Sequence, residues 1–173
     1  IKRDGSEWTQ RYAAGKAKTP LKKLGKRRGH GTKIHFRPDP SVFNMTQRFD
    51  AKRVKDLLDA KAYLHPQVEI HFQDPRAGEE IVYHHPGGLQ EYLPKLIESL
   101  KRRKTHDEPF HLESEEYPRT QLILTWTDGT NESIYSYANG VRTPDGGSHE
   151  SGLKQAVLKA VRAYMSAKKR STK

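Results

Sequence analysis

The chain has 173 residues and no cysteine, which excludes disulfides, cysteine-based zinc sites and thiol chemistry. Hydrophobic residues make up 33%, enough for a modest core, and no apolar run approaches the roughly 18 residues that a membrane span needs. The net charge of +11 suggests a polyanionic partner, with nucleic acid before an acidic membrane surface.

That charge is local. Residues 1–40 carry twelve Lys or Arg against three Asp or Glu, whereas residues 41–173 carry twenty against eighteen. The chain opens on Ile1 without Met or a signal peptide, so it reads as a piece of a longer protein, and the missing cysteines fit a cytoplasmic one.

Residues 1–15 read as a β-hairpin, with turn chemistry in Arg3-Asp4-Gly5-Ser6 and with Trp8, Gln10 and Tyr12 alternating up to Gly15. Residues 16–31 form a basic connection holding a short strand, and Thr32 to Phe36 is predicted to be a strand stopped by Pro38-Asp39-Pro40. A helix is predicted from Asp50 to Leu64, capped by Asp50 and stapled by Phe49 on Val54, with Leu57, Leu58 and Ala62 continuing the stripe. Val68, Ile70 and Phe72 alternate as a strand, and Ile81 and Tyr83 return after the turn at Asp74 to Gly78.

Gly87-Gly88 opens a second helix striped by Leu89, Tyr92, Leu93, Leu96, Ile97 and Leu100. Pro94 removes one of its hydrogen bonds and predicts a kink or a split. After a charged loop at 101–109 come three strand-like runs: Phe110 to Tyr117, Gln121 to Thr127, and Ser133 to Tyr137 returning from a turn at Asp128 to Asn131. A last helix starts at Ser148 or His149. Leu153, Ala156, Val157, Ala160, Val161, Tyr164 and Met165 give it an apolar face, and Lys168, Lys169 and Arg170 suit its negative end. The order predicts a mixed α/β or α+β arrangement, with helices packed on a largely antiparallel sheet.

Three stretches in this order carry a resemblance: residues 3–15 with 29–43, residues 50–74, and residues 133–157, SIYSYANGVRTPDGGSHESGLKQAV. Together they resemble the ATPase component of bacterial type IIA DNA topoisomerases, the gyrase B and topoisomerase IV B family. The resemblance implies that residues 1–44 are the last strands of a GHKL-type nucleotide-binding domain. It implies that residues 45–173 are a transducer domain, a two-layer α/β fold of ribosomal-protein type with a left-handed βαβ crossover. The whole protein would then use ATP and Mg2+ to pass one DNA duplex through another. Its partners would be double-stranded DNA, the DNA-cleaving subunit and a second copy of the ATPase component, with no membrane.

In such a protein Gly31-Thr32 would line the adenine pocket, with the Thr32 hydroxyl in a water-bridged contact to the base. Without a ligand the pair is simply the start of a strand. The catalytic glutamate, the magnesium-binding asparagine and the glycine-rich lid of the family lie upstream, and its phosphate-sensing lysine lies downstream. Ser171-Thr172-Lys173 comes too soon after the helix to be that lysine motif, so this piece is expected to be inactive alone.

Gly146-Gly147-Ser148-His149 could bind an anion through exposed N–H groups, but Ser148 as a helix cap is the simpler reading. DNA-cavity candidates are Arg142, Lys154, Arg162 and the run Lys101-Arg102-Arg103-Lys104, with Lys154 first because it matches the basic position after the family's glycine. Thr9 stands where gyrase B often has the arginine that helps hold aminocoumarins, which puts coumarin sensitivity in doubt.

His84 and His85 point to opposite strand faces, and His30 and His35 lack carboxylates at ligand spacing, so no metal is expected. No serine sits in a nucleophile-elbow pattern. The competing readings are a MutL-type ATPase, disfavoured by the double-glycine-histidine stretch, and a non-enzymatic RNA-binding module. The RNA module would need exposed aromatics among Lys and Arg on one sheet face. Trp126, Tyr135 and Tyr137 instead alternate as if absorbed by a helix-covered core.

Overall fold

The computed structural model describes residues 1–43, 49–116 and 119–171, with side chains to residue 168. It divides into two units, Ile1–Phe49 and Asp50–Lys173. The expected domain boundary at 44/45, Tyr117 and the Thr172-Lys173 end all lie outside the described residues.

In the first unit β1 (Lys2–Arg3) turns into β2 (Ser6–Thr9) through Asp4-Gly5, whose φ values are 51° and 68°. Two positive φ angles in a two-residue loop match the right-handed strand twist. A second hairpin joins β3 (Tyr12–Ala13) to β4 (Lys16–Ala17). The connection then returns as β5 (Lys22–Lys26) and gives a sheet of order β1-β2-β5.

Residues 32–36 are not a strand. Gly31 bridges Lys2, after which no described residue pairs with the segment, and Ile34 is 80% exposed. Alternation supplies a face, but a strand also needs a ladder partner, and none is present for it among the described residues.

In the second unit α1 (Ala51–Leu64) starts where the Asp50 carboxylate accepts from the Arg53 N–H at 3.2 Å. Phe49 lies in the other unit and meets Phe36 edge-on, with centroids 5.9 Å apart. β6 (Ile70–Asp74) and β7 (Glu79–Tyr83) form a hairpin in which Phe72 faces Ile81 and Ile70 faces Tyr83. These four are partly buried positions of the two strands that pack with α1.

The next helix, α2 (Leu89–Ser99), runs through Pro94 without splitting. It ends at Leu100 in a double hydrogen-bonded cap: Lys101 N–H reaches Glu98 C=O and Arg102 N–H reaches Ile97 C=O. Lys101 takes the left-handed position there, at φ 53°.

β8 (Phe110–Ser114) and β9 (Thr120–Leu124) form the next hairpin, and α2 packs on β9. The return strand expected at 133–137 does not form. The hairpin sits later, between β10 (Tyr137–Ala138) and β11 (Val141–Arg142), around Asn139 and Gly140 at φ 50° and 71°. Asn-Gly and Asp-Gly carry comparable two-residue hairpin signals, and the one whose flanks pair as strands is Asn139-Gly140. The Asp128-Gly129 loop instead pairs with the 103–105 segment through Arg103, Asp128 and the Lys104–Thr127 bridge.

Finally α3 (Ser148–Ser171) extends without a strand or helix packed on it among the described residues. The expected burial of its apolar face is therefore not seen: Tyr164 is 63% exposed, and only Leu153 and Val157 of that stripe are partly covered. The class is mixed α/β, and every described strand pair is antiparallel. The sheets are small and separate, so no crossover closes within one sheet among the described residues.

Candidate functional site

The tightest packing in the second unit surrounds Ala62, which is 0% exposed, and Tyr63, which is 7% exposed. The Tyr63 ring stacks on His85 at 3.5 Å and 6°, and on Tyr92 at 4.7 Å and 15°. Two helices and the segment after β7 thus meet through aromatic faces, a contact worth about 0.5–1.5 kcal/mol per pair beyond area burial.

Charges bracket the stack. Asp59 on α1 accepts from His85 Nε2 at 2.7 Å and pairs with Lys95 on α2, and Lys95 lies 5.2 Å from the Tyr63 ring centroid. Burial alone would lower the Lys95 ammonium. The hydrogen bond and charge of Asp59 outweigh it and hold Lys95 above the ordinary lysine range.

The stack continues to the Asn139-Gly140 hairpin. Tyr92 and Tyr137 share a hydroxyl–hydroxyl bond of 3.0 Å, and Lys61 Nζ donates to Gly140 C=O at 3.1 Å. Burial first, then the Tyr137 bond, pushes the Tyr92 phenol well above its usual value. Burial likewise raises Tyr63. A Cβ at Gly140 would stand 2.9 Å from His65 Nε2, so the hairpin needs glycine there for space as well as for φ.

From this hairpin a polar knot leads to α3. Ser136 Oγ donates to the Glu150 carboxylate and lies 2.5 Å from Thr143 Oγ1, which is itself 3.3 Å from His149 Nε2. Gly146, at φ 74°, makes the turn into the helix. Ser148 is not the cap: it is the first helical residue, and the Gly147 C=O accepts the first helical bond, from Ser151 N–H at 3.1 Å. The hydroxyl that ties this helix start down is Ser136. Local sequence signals do not reveal it, because the contact spans fourteen residues.

Several basic candidates are already engaged. Lys154 bonds Glu132 at 2.5 Å, and that bond and its charge raise the lysine. Arg102 donates to Asn131 C=O, Lys104 to Asp107 C=O, and Arg142 lies 5.1 Å from the Tyr135 ring centroid. The side chains of Lys101, Arg103 and Arg162 make no ion pair or hydrogen bond among the described residues. Trp126, expected in a covered core, is 50% exposed beside His106.

In the first unit Gly31 spends both backbone groups on Lys2, at 2.8 and 3.1 Å. What it offers a ligand is therefore open space, since a Cβ there would meet nothing within 4 Å. Thr32 is exposed beside it. Thr9, Arg11, Thr19, Lys22 and Lys23 line a separate shallow cavity of about 640 Å³. Among the described residues no three His, Asp or Glu side chains gather as a metal site, so none of them is assigned to Mg2+.

Comparison with known proteins defines the class. The Thermus thermophilus gyrase B 43K ATPase domain, solved in complex with an aminocoumarin, superposes with a TM-score of 0.74 and 29% identity, covering 99% of this chain and 46% of that one. The gyrase B structure from Myxococcus xanthus gives 0.73 and 27%, over 93% of this chain and 47% of that one. The fold is therefore that of a gyrase-type ATPase region.

The family model for DNA gyrase B matches residues 88–173. The DNA gyrase B protein of Clostridium acetobutylicum is 33% identical over 95% of the chain, and the DNA topoisomerase 4 B protein of Pseudomonas aeruginosa is 34% identical over 95%. The chain belongs to the gyrase B and topoisomerase IV B family. It spans about a quarter of the length of these relatives, 26% of each.

Proposed function

We propose that the chain is the coupling portion of an ATP-dependent type II DNA topoisomerase, a cytoplasmic enzyme that passes one duplex through another. Residues 1–44 form the end of the nucleotide-binding domain, with Gly31 and Thr32 at the adenine edge. Residues 45–173 form the transducer. ATP would supply the energy of closure, and Mg2+ would offset the charge of its phosphates, most of their ligands lying in the rest of the full protein.

The observation that carries the reading is the stack Tyr92–Tyr63–His85, tied at one end to Asp59 and Lys95 and at the other to Tyr137. It makes α1, α2 and the Asn139-Gly140 hairpin one unit. The Ser136–Glu150 bond then hands the position of that unit to the 24-residue α3. A long helix attached at its start to a packed body is a lever, and small shifts of the body become larger ones at the far end. The basic side chains Lys101, Arg103 and Arg162, unpaired among the described residues, with Lys154 once released from Glu132, would soften repulsion of a passing duplex without reading its sequence.

The test is a chimera in which these residues replace the matching segment of the Clostridium acetobutylicum gyrase B. ATP-dependent change of plasmid topology with its DNA-cleaving partner supports the reading. A folded chimera that hydrolyses ATP but never alters linking number contradicts it. The chain alone should show no steady ATP turnover.

A further inference from the structure

In the first unit the bulge in β5 sorts its charges by face. Cross-strand partners in an antiparallel pair share a face. Ser6 faces Lys26 and Trp8 faces Lys23, whereas Glu7 faces Gly25 and Thr9 faces Lys22, with the register shifting between Glu7 and Trp8. Leu24 is the extra residue. Without it Lys23 and Lys26, three apart, would point to opposite sides. With it both stand beside Trp8, and Arg3, opposite Ser6 on β1, joins them.

The two faces differ in charge. On the Thr9 face Glu7 pairs with Arg27 at 3.5 Å. On the Trp8 face neither Lys23 nor Lys26 has a carboxylate partner among the described residues, and only Asp4, at the turn, approaches Arg3, at 3.7 Å. Arg3, Lys23 and Lys26 are exposed. They span about 10 Å across two strand spacings and a similar distance along β5. A duplex presents several phosphates over that distance, one per roughly 1.7 Å of axis.

We infer that the Trp8 face of the β1-β2-β5 sheet, through Arg3, Lys23 and Lys26, binds the phosphate backbone of duplex DNA, separately from the basic residues of the second unit. The Lys23 ammonium lies 5.5 Å from the Trp8 ring centroid and occupies the ring that an unpaired base would stack on. The ligand feature is therefore the phosphate of a duplex and not an exposed base. The inference rests on the reading that DNA is the partner and adds a second surface to it.

The experiment is anisotropy of a labelled 20-base-pair duplex of mixed sequence titrated with the full chain, from low to moderate salt. The Lys23→Gln/Lys26→Gln variant should bind several-fold more weakly and show a log–log salt slope shallower by about 1–2, since each phosphate contact contributes about 0.9. Lys22→Gln, on the opposite face, should bind like the parent. In a Trp126→Phe background Trp8 is the only tryptophan, and its emission should change as duplex is added.

If the double variant and Lys22→Gln lose affinity equally, the contact is bulk charge and the face assignment is wrong. If the double variant binds normally while Arg103→Gln/Arg162→Gln does not, the inference fails and the topoisomerase reading stands. If the parent chain shows no salt-dependent duplex binding, both fail. Tighter binding to a single strand than to duplex overturns the assignment of the ligand. Circular dichroism melts confirm that each variant is folded.

Discussion

Tyr92 spends its ring on Tyr63 and its hydroxyl on Tyr137, so one side chain joins α1, α2 and the Asn139-Gly140 hairpin. Tyr92→Phe keeps the ring and removes the bond, and should lower stability by about 1 kcal/mol, read from denaturant midpoints. The pH dependence has a definite sign. Tyr63, Tyr92 and Lys95 all hold their protons more tightly folded than unfolded. Their contribution is complete below about pH 10, near the unfolded values, and is lost as pH rises through the raised ones. The melting temperature should therefore fall steeply above about pH 10, and less steeply in Tyr92→Phe. A flat alkaline profile would remove the stack from the list of stabilising features.

Lys101 offers the opposite kind of change. It holds the left-handed position after α2 at φ 53°, where glycine carries no Cβ penalty. Lys101→Gly should raise stability by about 1 kcal/mol, and thermal unfolding would show it.

At the scale of elements the sequence was legible wherever the signal was local. Asp50 as a cap, the Phe72 and Ile81 alternation and the Gly88 helix start all appear where their chemistry put them. What could not be read depended on partners distant in sequence. Residues 32–36 had the alternation of a strand but only the Lys2 bridge at their edge. Ser148 had the composition of a cap, while Ser136 and Glu150 hold that helix start.

The β5 bulge is invisible in the sequence, because Leu24 differs from any strand residue only through its register against β2. Asn139-Gly140 carries a local hairpin signal, but Asp128-Gly129 competes with it until the strand partners are known. Gly140→Ala tests its weight: a Cβ would strain φ 71° and press on His65. It should cost more than about 1 kcal/mol and weaken the Lys61 bond to that carbonyl. Gly152→Ala, within α3 and in open space, should instead be neutral or stabilising.

At the scale of the whole molecule the two units divide the work by charge as well as by fold. The first carries most of the positive excess, and the second carries a nearly balanced surface around an aromatic core. α3 leaves that core with an apolar stripe that no described element covers. Its role as a lever depends on the stiffness of its attachment through Ser136, Thr143 and Glu150 and of the stack behind them. That mechanical link is tested by counting linking-number change per ATP hydrolysed in the gyrase chimera carrying Ser136→Ala with Tyr92→Phe. ATP turnover should persist while topology change per ATP falls several-fold. An unchanged ratio in a folded double variant would contradict it.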